Sequence, residues 1–507
     1  MPSNKIDSNV SALHFAEEDS LKVLPGSPVW YELEANSYSE LGGQNVLTAR
    51  NPFNASRQKK RGRITDLDAS GGMNVDKTQN NMTRLQQGFM FADAREKASS
   101  MPLNGTAVAL TNVDGTGEQF QAASGLDVFK AGDLILASDM GLIANNGLHH
   151  VTAAAAGAVT VDSDLSDETP GASAKIQVVG FQFQTAECNI TATATSFTLT
   201  ASTTDCTTLG LTPGEFVFIG GDAAANKFVN NEPGYARIAS IVAGGITFDE
   251  STFVPVAETG TGLDIQIFFG VVERNEKQSS LIKRRSYNVE RQLGNDDDGV
   301  QSEYLIGAIA NELTLNIPAT EKLTTDISFV AMDDVKRTGL EGLKSGTRVP
   351  ADGEDFFSAS SDVYRLKLYV YDETTMNPAA LFAFVNSATI SINNNVSPNK
   401  AVAVLGSFDA TAGDFEVGGE INAYFSTVEA VKAVRNNADA GFNIICAANN
   451  AGFVYDIPLL GLGNGRLNVE KDNPITIPLE TMAAECANGY TLMYCNFPYL
   501  PDAAMPA

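Results

Sequence analysis

From Asp414 to Phe425 (D-F-E-V-G-G-E-I-N-A-Y-F) the chain alternates. Phe415, Val417, Gly419, Ile421, Ala423 and Phe425 fall on one side, and Glu416, Glu420 and Asn422 on the other. Successive side chains of an extended backbone point to opposite faces, so this period of two predicts a strand with one buried face and one acidic, wet face. Ser387–Asn393 alternates as well and predicts a strand before it. After Ser426/Thr427, Val428, Val431 and Val434 recur at helical spacing with Glu429 in the first turn, which predicts a capped helix within Val428–Ala440. Gly441–Ala447 returns to strand.

The same order of elements occurs near the start of the chain. Leu67–Val75 lies over Phe415–Ala423 without a gap: Leu67 on Phe415, Asp68 on Glu416, Gly71 on Gly419, Met73 on Ile421, Asn74 on Asn422. A helical segment follows, with Met82, Leu85 and Phe89 on one face, and Trp30–Ala35 stands as the counterpart of Thr389–Asn393. Further on, Tyr287-Asn288-Val289 answers Phe442-Asn443-Ile444, and Leu313-Thr314-Leu315 answers Leu467-Asn468-Val469. The strands Asp326–Ala331 and Ile475–Glu480 close the series. A shared order of elements predicts one module present twice, in residues 1–98 plus 273–338 and in residues 386–507. Residues 339–385 form a connector with an alternating stretch at Val363–Tyr371. Residues 99–272 form an insertion of short strands and Gly/Asn/Asp turns with a repeat of its own (Ala131–Leu136 with Pro213–Phe218, Ile176–Phe181 with Ile265–Phe269). Two tandem small β modules are expected there, about 99–183 and 184–272. The expected fold is mainly β with two short helices: a duplicated sandwich or barrel module carrying an inserted pair of small β domains.

Composition narrows the function. A net charge of −27 argues against a protein that grips nucleic acid through its overall field, yet leaves room for one that lets nucleic acid pass. No apolar run reaches the ~18 residues of a membrane span, and the start lacks a basic-then-apolar signal, so cytoplasmic synthesis is expected. Cys188, Cys206, Cys446, Cys486 and Cys495 show no metal-ligand spacing. Buried free thiols are expected; a Cys188–Cys206 bridge is the other reading, disfavoured by that compartment.

Catalytic constellations are missing from the sequence. His14, His149 and His150 sit in no zinc-binding spacing, and the adjacent pair is expected on a strand surface. No phosphate-cradling glycine loop occurs. Gly294–Leu305 has glycine and leucine where a calcium loop needs its first and last ligands, so an acidic hairpin turn is expected. No catalytic residue, metal ligand or cofactor is assigned, and no enzyme is expected. Two basic clusters stand out in this acidic chain: Arg57, Lys59, Lys60, Arg61 and Arg63, and Lys283-Arg284-Arg285. Each reads either as solvated loop charge or as a docking patch for an acidic surface on a neighbouring copy.

The opening Trp30-Tyr-Glu-Leu, the basic loop Asn51–Arg63, the strand–helix unit Ile64–Ala94 and the closing D-I-P-L-L…I-T-I-P-L-E run resemble the major tail tube proteins of long, non-contractile-tailed bacteriophages. The resemblance covers Val29–Ala98 and about Glu273–Pro498, and leaves out the insertion. It implies a β-sandwich flanked by a helix, whose inner sheets join across subunits into a barrel. Rings of such barrels stack into the hollow tail tube, in the virion, after assembly in the host cytoplasm. A doubled unit implies a homotrimeric ring with pseudo-sixfold symmetry, against the homohexamer of single-unit members. The implied partners are other copies of the chain, the tape-measure protein and double-stranded DNA passing without specific binding; no membrane is implied. The long stretches Asn45–Arg63 and Val396–Gly413 are expected to reach the next ring, with Arg57, Lys59, Lys60, Arg61 and Arg63 as inter-ring docking candidates. The strand face opposite the core is expected to line the channel through Asp66, Asp68, Asn74, Asp76, Glu416, Glu420 and Asn422, whose carboxylates repel a polyanion. Solvent-facing strand residues are the plainer reading of those positions. Two other functions fit a β-rich chain: a phage adhesin with the insertion as its working end, and a glycan-degrading enzyme. The only tryptophan, Trp30, lies outside the insertion, which disfavours a sugar-stacking groove there.

Overall fold

The computed structural model describes residues 6, 11–53, 55, 58–296, 299–372 and 374–506. Strands dominate, and among the described residues there are two α-helices. The framework comes in two sets. The first has β1 (Ala12–Glu17), β2 (Ala35–Ala49), β3 (Gly62–Asp76), α1 (Thr83–Met90), β4 (Tyr287–Asp296), β5 (Gly299–Ile317), β6 (Thr324–Ala331) and β7 (Asp333–Arg337). The second has β8 (Val363–Val370), β9 (Val385–Asn393), β10 (Glu416–Tyr424), α2 (Glu429–Arg435), β11 (Ala440–Ala448), β12 (Ala451–Asn464), β13 (Thr476–Ala483) and β14 (Met493–Phe497).

The two sets pair alike. β1 lies on β4, β4 on β5, β5 on β7 and β6, β6 on β3, and β3 on β2, all antiparallel. β8 lies on β11, β11 on β12, β12 on β14 and β13, β13 on β10, and β10 on β9, again all antiparallel. Even the irregularities correspond: β2 bulges between Ala35 and Ser37 opposite Asn74, and β9 between Val385 and Ser387 opposite Asn422. Asn288 and Asn443, at matching positions of β4 and β11, are both buried. The half of β5 that runs from Glu312 to Ile317 pairs with β9, which joins the sets edge to edge into one inner sheet, β2-β3-β6-β5-β9-β10-β13-β12.

Alternation supplies the core. The inward faces of both halves of that sheet (Met73, Val75, Leu313, Leu315, Ile327, Ile390, Ile421, Leu479) meet the outer strands and α1 in one apolar cluster. Gly419 stands where β10 passes closest to β9. Its φ is +149°, and a Cβ there would lie 2.0 Å from the Thr389 carbonyl oxygen, so only glycine fits.

Several local expectations change. The strand on β3 is Ala35–Ala49, not Trp30–Ala35. Trp30 is instead buried in a short strand, Val29–Glu32, parallel to Thr347–Val349, with its Nε1 donating to the Ser345 carbonyl at 3.0 Å. Asn45–Arg63 is loop only in its middle, because strands run through Ala49 and resume at Gly62. Val396–Gly413 folds into a hairpin of its own, Ser397–Lys400 on Ser407–Thr411. The strand Val363–Val370, read from sequence as part of a connector, pairs with β11 as β1 pairs with β4. α2 begins at Glu429 with Val428 in the capping position and no side-chain cap, so Ser426 and Thr427 do not cap it. β4 and β5 pair as far as Asp296 and Gly299; Asp297 and Asp298 lie outside the described residues.

The insertion has its own apolar core. Strands Asp133–Ser138, Gly147–Ala155, Ala158–Val161 and Lys175–Gln182 pair in the order that Phe216–Ile219, Gly234–Val242, Gly245–Ser251 and Gln266–Phe268 repeat. The last strands of the two groups bond to each other, making one continuous sheet. Its outer side packs against the second set: Leu134, Phe216, Phe218 and Tyr235 share a core with Ile445, Val454, Met493 and Phe497. The outer strands of the second set are thereby covered on both faces.

Candidate functional site

The inner sheet's other face is largely polar, although Met482 stands exposed on it two residues from Glu480. On β3 the even positions Asp66, Asp68, Asn74 and Asp76 point to it, because Leu67, Ala69, Met73 and Val75 are buried. On β10, Glu416 and Glu420 are exposed and Asn422 half-buried, while Val417, Ile421 and Ala423 are buried. Asn36 Nδ2 donates to Asn74 Oδ1 (3.0 Å) and to Asp76 Oδ1 (2.5 Å). Asn74 Nδ2 donates in turn to Asp326 Oδ1 (2.7 Å), and Asn316 Nδ2 donates to the other Asp326 oxygen (2.6 Å). Asp76 also pairs with Lys322 at 2.7 Å. Glu420 stands directly opposite Glu480. Like charges facing each other across strands cost stability, so this face is not arranged for stability alone.

Three carboxylates on this face, Glu312, Asp326 and Glu480, escaped the sequence reading. Each belongs to an alternating stretch, but which face it shares with β3 or β10 depends on strand register. Two that were read, Asp66 and Asp68, are in a different state from the rest. Lys400, on the hairpin Ser397–Lys400, hydrogen-bonds both carboxylates, and this contact holds the Asp66 carboxyl below the usual aspartate range.

Two arms leave the same end of the sheet, since β3 and β10 run in the same direction. On the first, Lys59, Lys60, Arg61 and Arg63 are exposed and have no ion-pair partner among the described residues; Arg57 lies outside them. Leu47, Phe53 and Ile64 beside them are exposed too. On the second arm Val402, Val404, Leu405 and Phe408 are exposed, and its charges are used internally: Lys400 as above, Asp409 by Arg284 at 3.0 Å. The second basic cluster is engaged within the chain, although Lys283 and Arg284 stay exposed to solvent and only Arg285 is buried. Lys283 pairs with Asp93, Arg284 with Asp409, and Arg285 is buried against Asp93 and Glu17. His149 is likewise no surface residue: it is buried edge-on to Phe120, with Nδ1 2.6 Å from Ser163 Oγ. Burial lowers its pKa.

The sheet is open at both ends. Among the described residues β2 pairs only with β3, and the far half of β12 only with β13. Asn316 faces Thr324 and Asn468 faces Thr476, so the positions matching Leu467 and Val469 are Leu315 and Ile317, two residues on from the sequence match to Leu313 and Leu315. Leu467–Val469 lies beyond the end of β12 rather than in a strand. Leu315 and Ile317, with β9 paired alongside, are buried; Leu467 and Val469 are 36% and 67% exposed. All five cysteines are free, four of them buried. Among the described residues no group of three or more His, Cys, Asp or Glu is placed to hold a metal.

A wall oily on one face, acidic on the other and unfinished at both edges is the subunit of an assembly rather than a pocketed monomer. The chain belongs to the phage tail tube protein family, whose model matches residues 8–483, insertion included. It is thus a structural protein of the bacteriophage tail that assembles into a tube. No curated protein matches the chain.

Proposed function

We propose that three chains close into a ring with pseudo-sixfold symmetry, and that stacked rings form a hollow conduit for DNA ejection into the host. The carrying observation is the β5–β9 junction. It is one edge-to-edge contact between two like four-stranded sheets, and the same two edges, β12 with Gly465–Val469 and β2, are left unmatched at the ends of the sheet. Pairing β12 of one chain with β2 of the next repeats that contact, buries Leu467 and Val469, and removes both open edges when the third chain closes the ring.

On this reading residues 1–98 with 273–338 and residues 386–507 are copies of one unit, to which the strand Val363–Val370 adds as the second unit's outermost strand. The polar face lines the lumen through Asp68, Asn74, Asp76, Asp326, Glu312, Glu416, Glu420, Asn422 and Glu480, with Asp66 and Asp68 muted by Lys400. A polyanion finds few cations to release counterions onto there and slides. The same lumen holds the tape-measure protein before ejection. The chain performs no catalysis, and assembly takes place in the host cytoplasm before the tail joins the virion. End-on electron-microscopy class averages of the purified protein test the stoichiometry. Rings with three outer protrusions and six inner repeats are expected; six protrusions mean a hexamer, and dispersed monomers overturn the ring.

A further inference from the structure

The two arms point one way, and the opposite end of the sheet is chemically different beneath each unit. At the first unit Glu34 precedes β2 and Asp76 ends β3; at the matching places the second unit has Phe384 and Tyr424, backbone-bonded to each other at 3.1 Å. Around Glu34 and Asp76 opens a cleft of about 910 Å³ whose carboxylates include Glu32, Asp352, Glu354 and Asp355. Of the cations lining or flanking it, Lys97 is already paired with Glu215 at 2.9 Å, Arg84 lies over the Tyr31 ring and Lys322 pairs with Asp76 at 2.7 Å, leaving Lys175. Around Phe384 (74% exposed) the surface is apolar instead: Tyr424, Val428 and Ile475 are all exposed.

The arms differ in the same sense. Between Asn45 and Ile64 the first arm carries Arg50, Arg57, Lys59, Lys60, Arg61 and Arg63 and no carboxylate, beside the exposed Leu47, Phe53 and Ile64. The second exposes Val402, Val404, Leu405 and Phe408, with its Lys400 and Asp409 neutralised within the chain.

We propose, resting on the tube reading, that this asymmetry sets how rings stack. The basic arm of one ring enters the acidic cleft of a first unit in the next ring, and the apolar arm lies on the aromatic patch of a second unit. The partner at both surfaces is another copy of this chain. A ring of six like-shaped units offers two stacking registers. In the wrong one, Lys59, Lys60 and Arg61 cover Phe384 and Tyr424 and lose water without an anion, while Val402 and Leu405 cover carboxylates. Desolvating unpaired charge is costly, and opposed charges also speed and orient the encounter. The first arm also has the longer strand behind it: β3, at 15 residues, spans about 50 Å, against about 30 Å for the nine-residue β10.

Cysteine pairs in assembled tubes test the register, in a Cys486→Ser background because the other native thiols are buried. Under mild oxidation, Lys60→Cys with Asp355→Cys is expected to give ladders of linked chains, as is Leu405→Cys with Phe384→Cys. Lys60→Cys with Phe384→Cys is expected to stay monomeric on a denaturing gel. Linking of that last pair, or equal linking of all three, overturns the register. A second arm uses charge: Lys59→Glu, Lys60→Glu and Arg61→Glu together are expected to leave rings that no longer stack, and Glu34→Lys, Asp352→Lys and Asp355→Lys added to them to restore tubes. Unimpaired stacking by the triple variant overturns the docking while the tube reading stands; absence of rings from the unaltered chain sinks the tube reading itself.

Discussion

Cys188, Cys206, Cys446 and Cys495 are buried thiols without a disulfide. Burial pushes Cys206 up to about 11 and the other three further above the ordinary thiol value. An acid whose folded pKa lies above its unfolded value keeps its proton longer in the native state. Its contribution is therefore complete below the unfolded pKa, roughly 8.5 for cysteine, and is lost as pH rises through the window up to the folded value. Lys77 works the other way. Burial lowers it to about 8, so its cost is relieved as pH climbs from there towards the unfolded lysine value. Lys344 and Lys367 are lowered by burial in the same sense. Four thiols and nine tyrosines raised by burial oppose these three ammoniums, and the urea midpoint is expected to fall between pH 9 and 11, at about the range set by these values. Cys206→Ala is expected to make that fall shallower; an unchanged slope in the variant would show that Cys206 titrates alike in both states.

Among elements, the contact between the insertion and the second unit matters most. Arg237, on the strand Gly234–Val242, reaches Asp249 at 2.9 Å and Asp456 of β12 at 3.3 Å. Glu250, on the next strand, meets Arg365 of β8 at 2.8 Å and accepts from Asn443 of β11 at 2.9 Å. Burial raises the Glu250 carboxyl, but Arg365 and Arg237 outweigh it and hold the group ionised, below the usual glutamate range. Removing one partner from such a cluster strands the others in the interior. Glu250→Ala is expected to cost about 3–5 kcal/mol, read as a drop in the denaturant midpoint and as faster proteolysis between the insertion and β8. A loss below about 1 kcal/mol, the size seen for surface pairs, would mean that water reaches the cluster. This contact was illegible in the sequence: Glu250 and Arg365 are far apart in the chain, and neither breaks its strand's pattern. Strand β2 escaped for a different reason. Its residues Asn36, Ser37, Ser39, Glu40 and Gln44 leave no apolar period, because most of its length has no buried face.

For the whole assembly, the acidity of the lumen is the property to test. Asp326→Lys, Glu416→Lys, Glu420→Lys and Glu480→Lys together remove four carboxylates and add four cations to each chain. Tubes are expected to form, since these side chains point away from the core, while DNA ejection slows or stalls. The defect should shrink as salt rises, because screening shortens to about 3 Å at 1 M. Ejection at the unaltered rate in low salt would remove these residues from the channel wall.

Alternation of apolar and polar residues is a property of local backbone geometry, so the sequence alone determined the mainly β character, the two short helices and the acidic side of β3 and β10. It also carried the likeness to tail tube proteins, through turn and strand order. The tertiary structure decided everything that joins distant positions: Lys400 on Asp66 and Asp68, Lys283-Arg284-Arg285 spent on internal carboxylates, the interior place of His149, and the insertion seated on the second unit. Such pairings depend on which edges and faces the folded sheets bring together, and a charged residue looks the same in a sequence whether its partner is water or a carboxylate more than three hundred residues away.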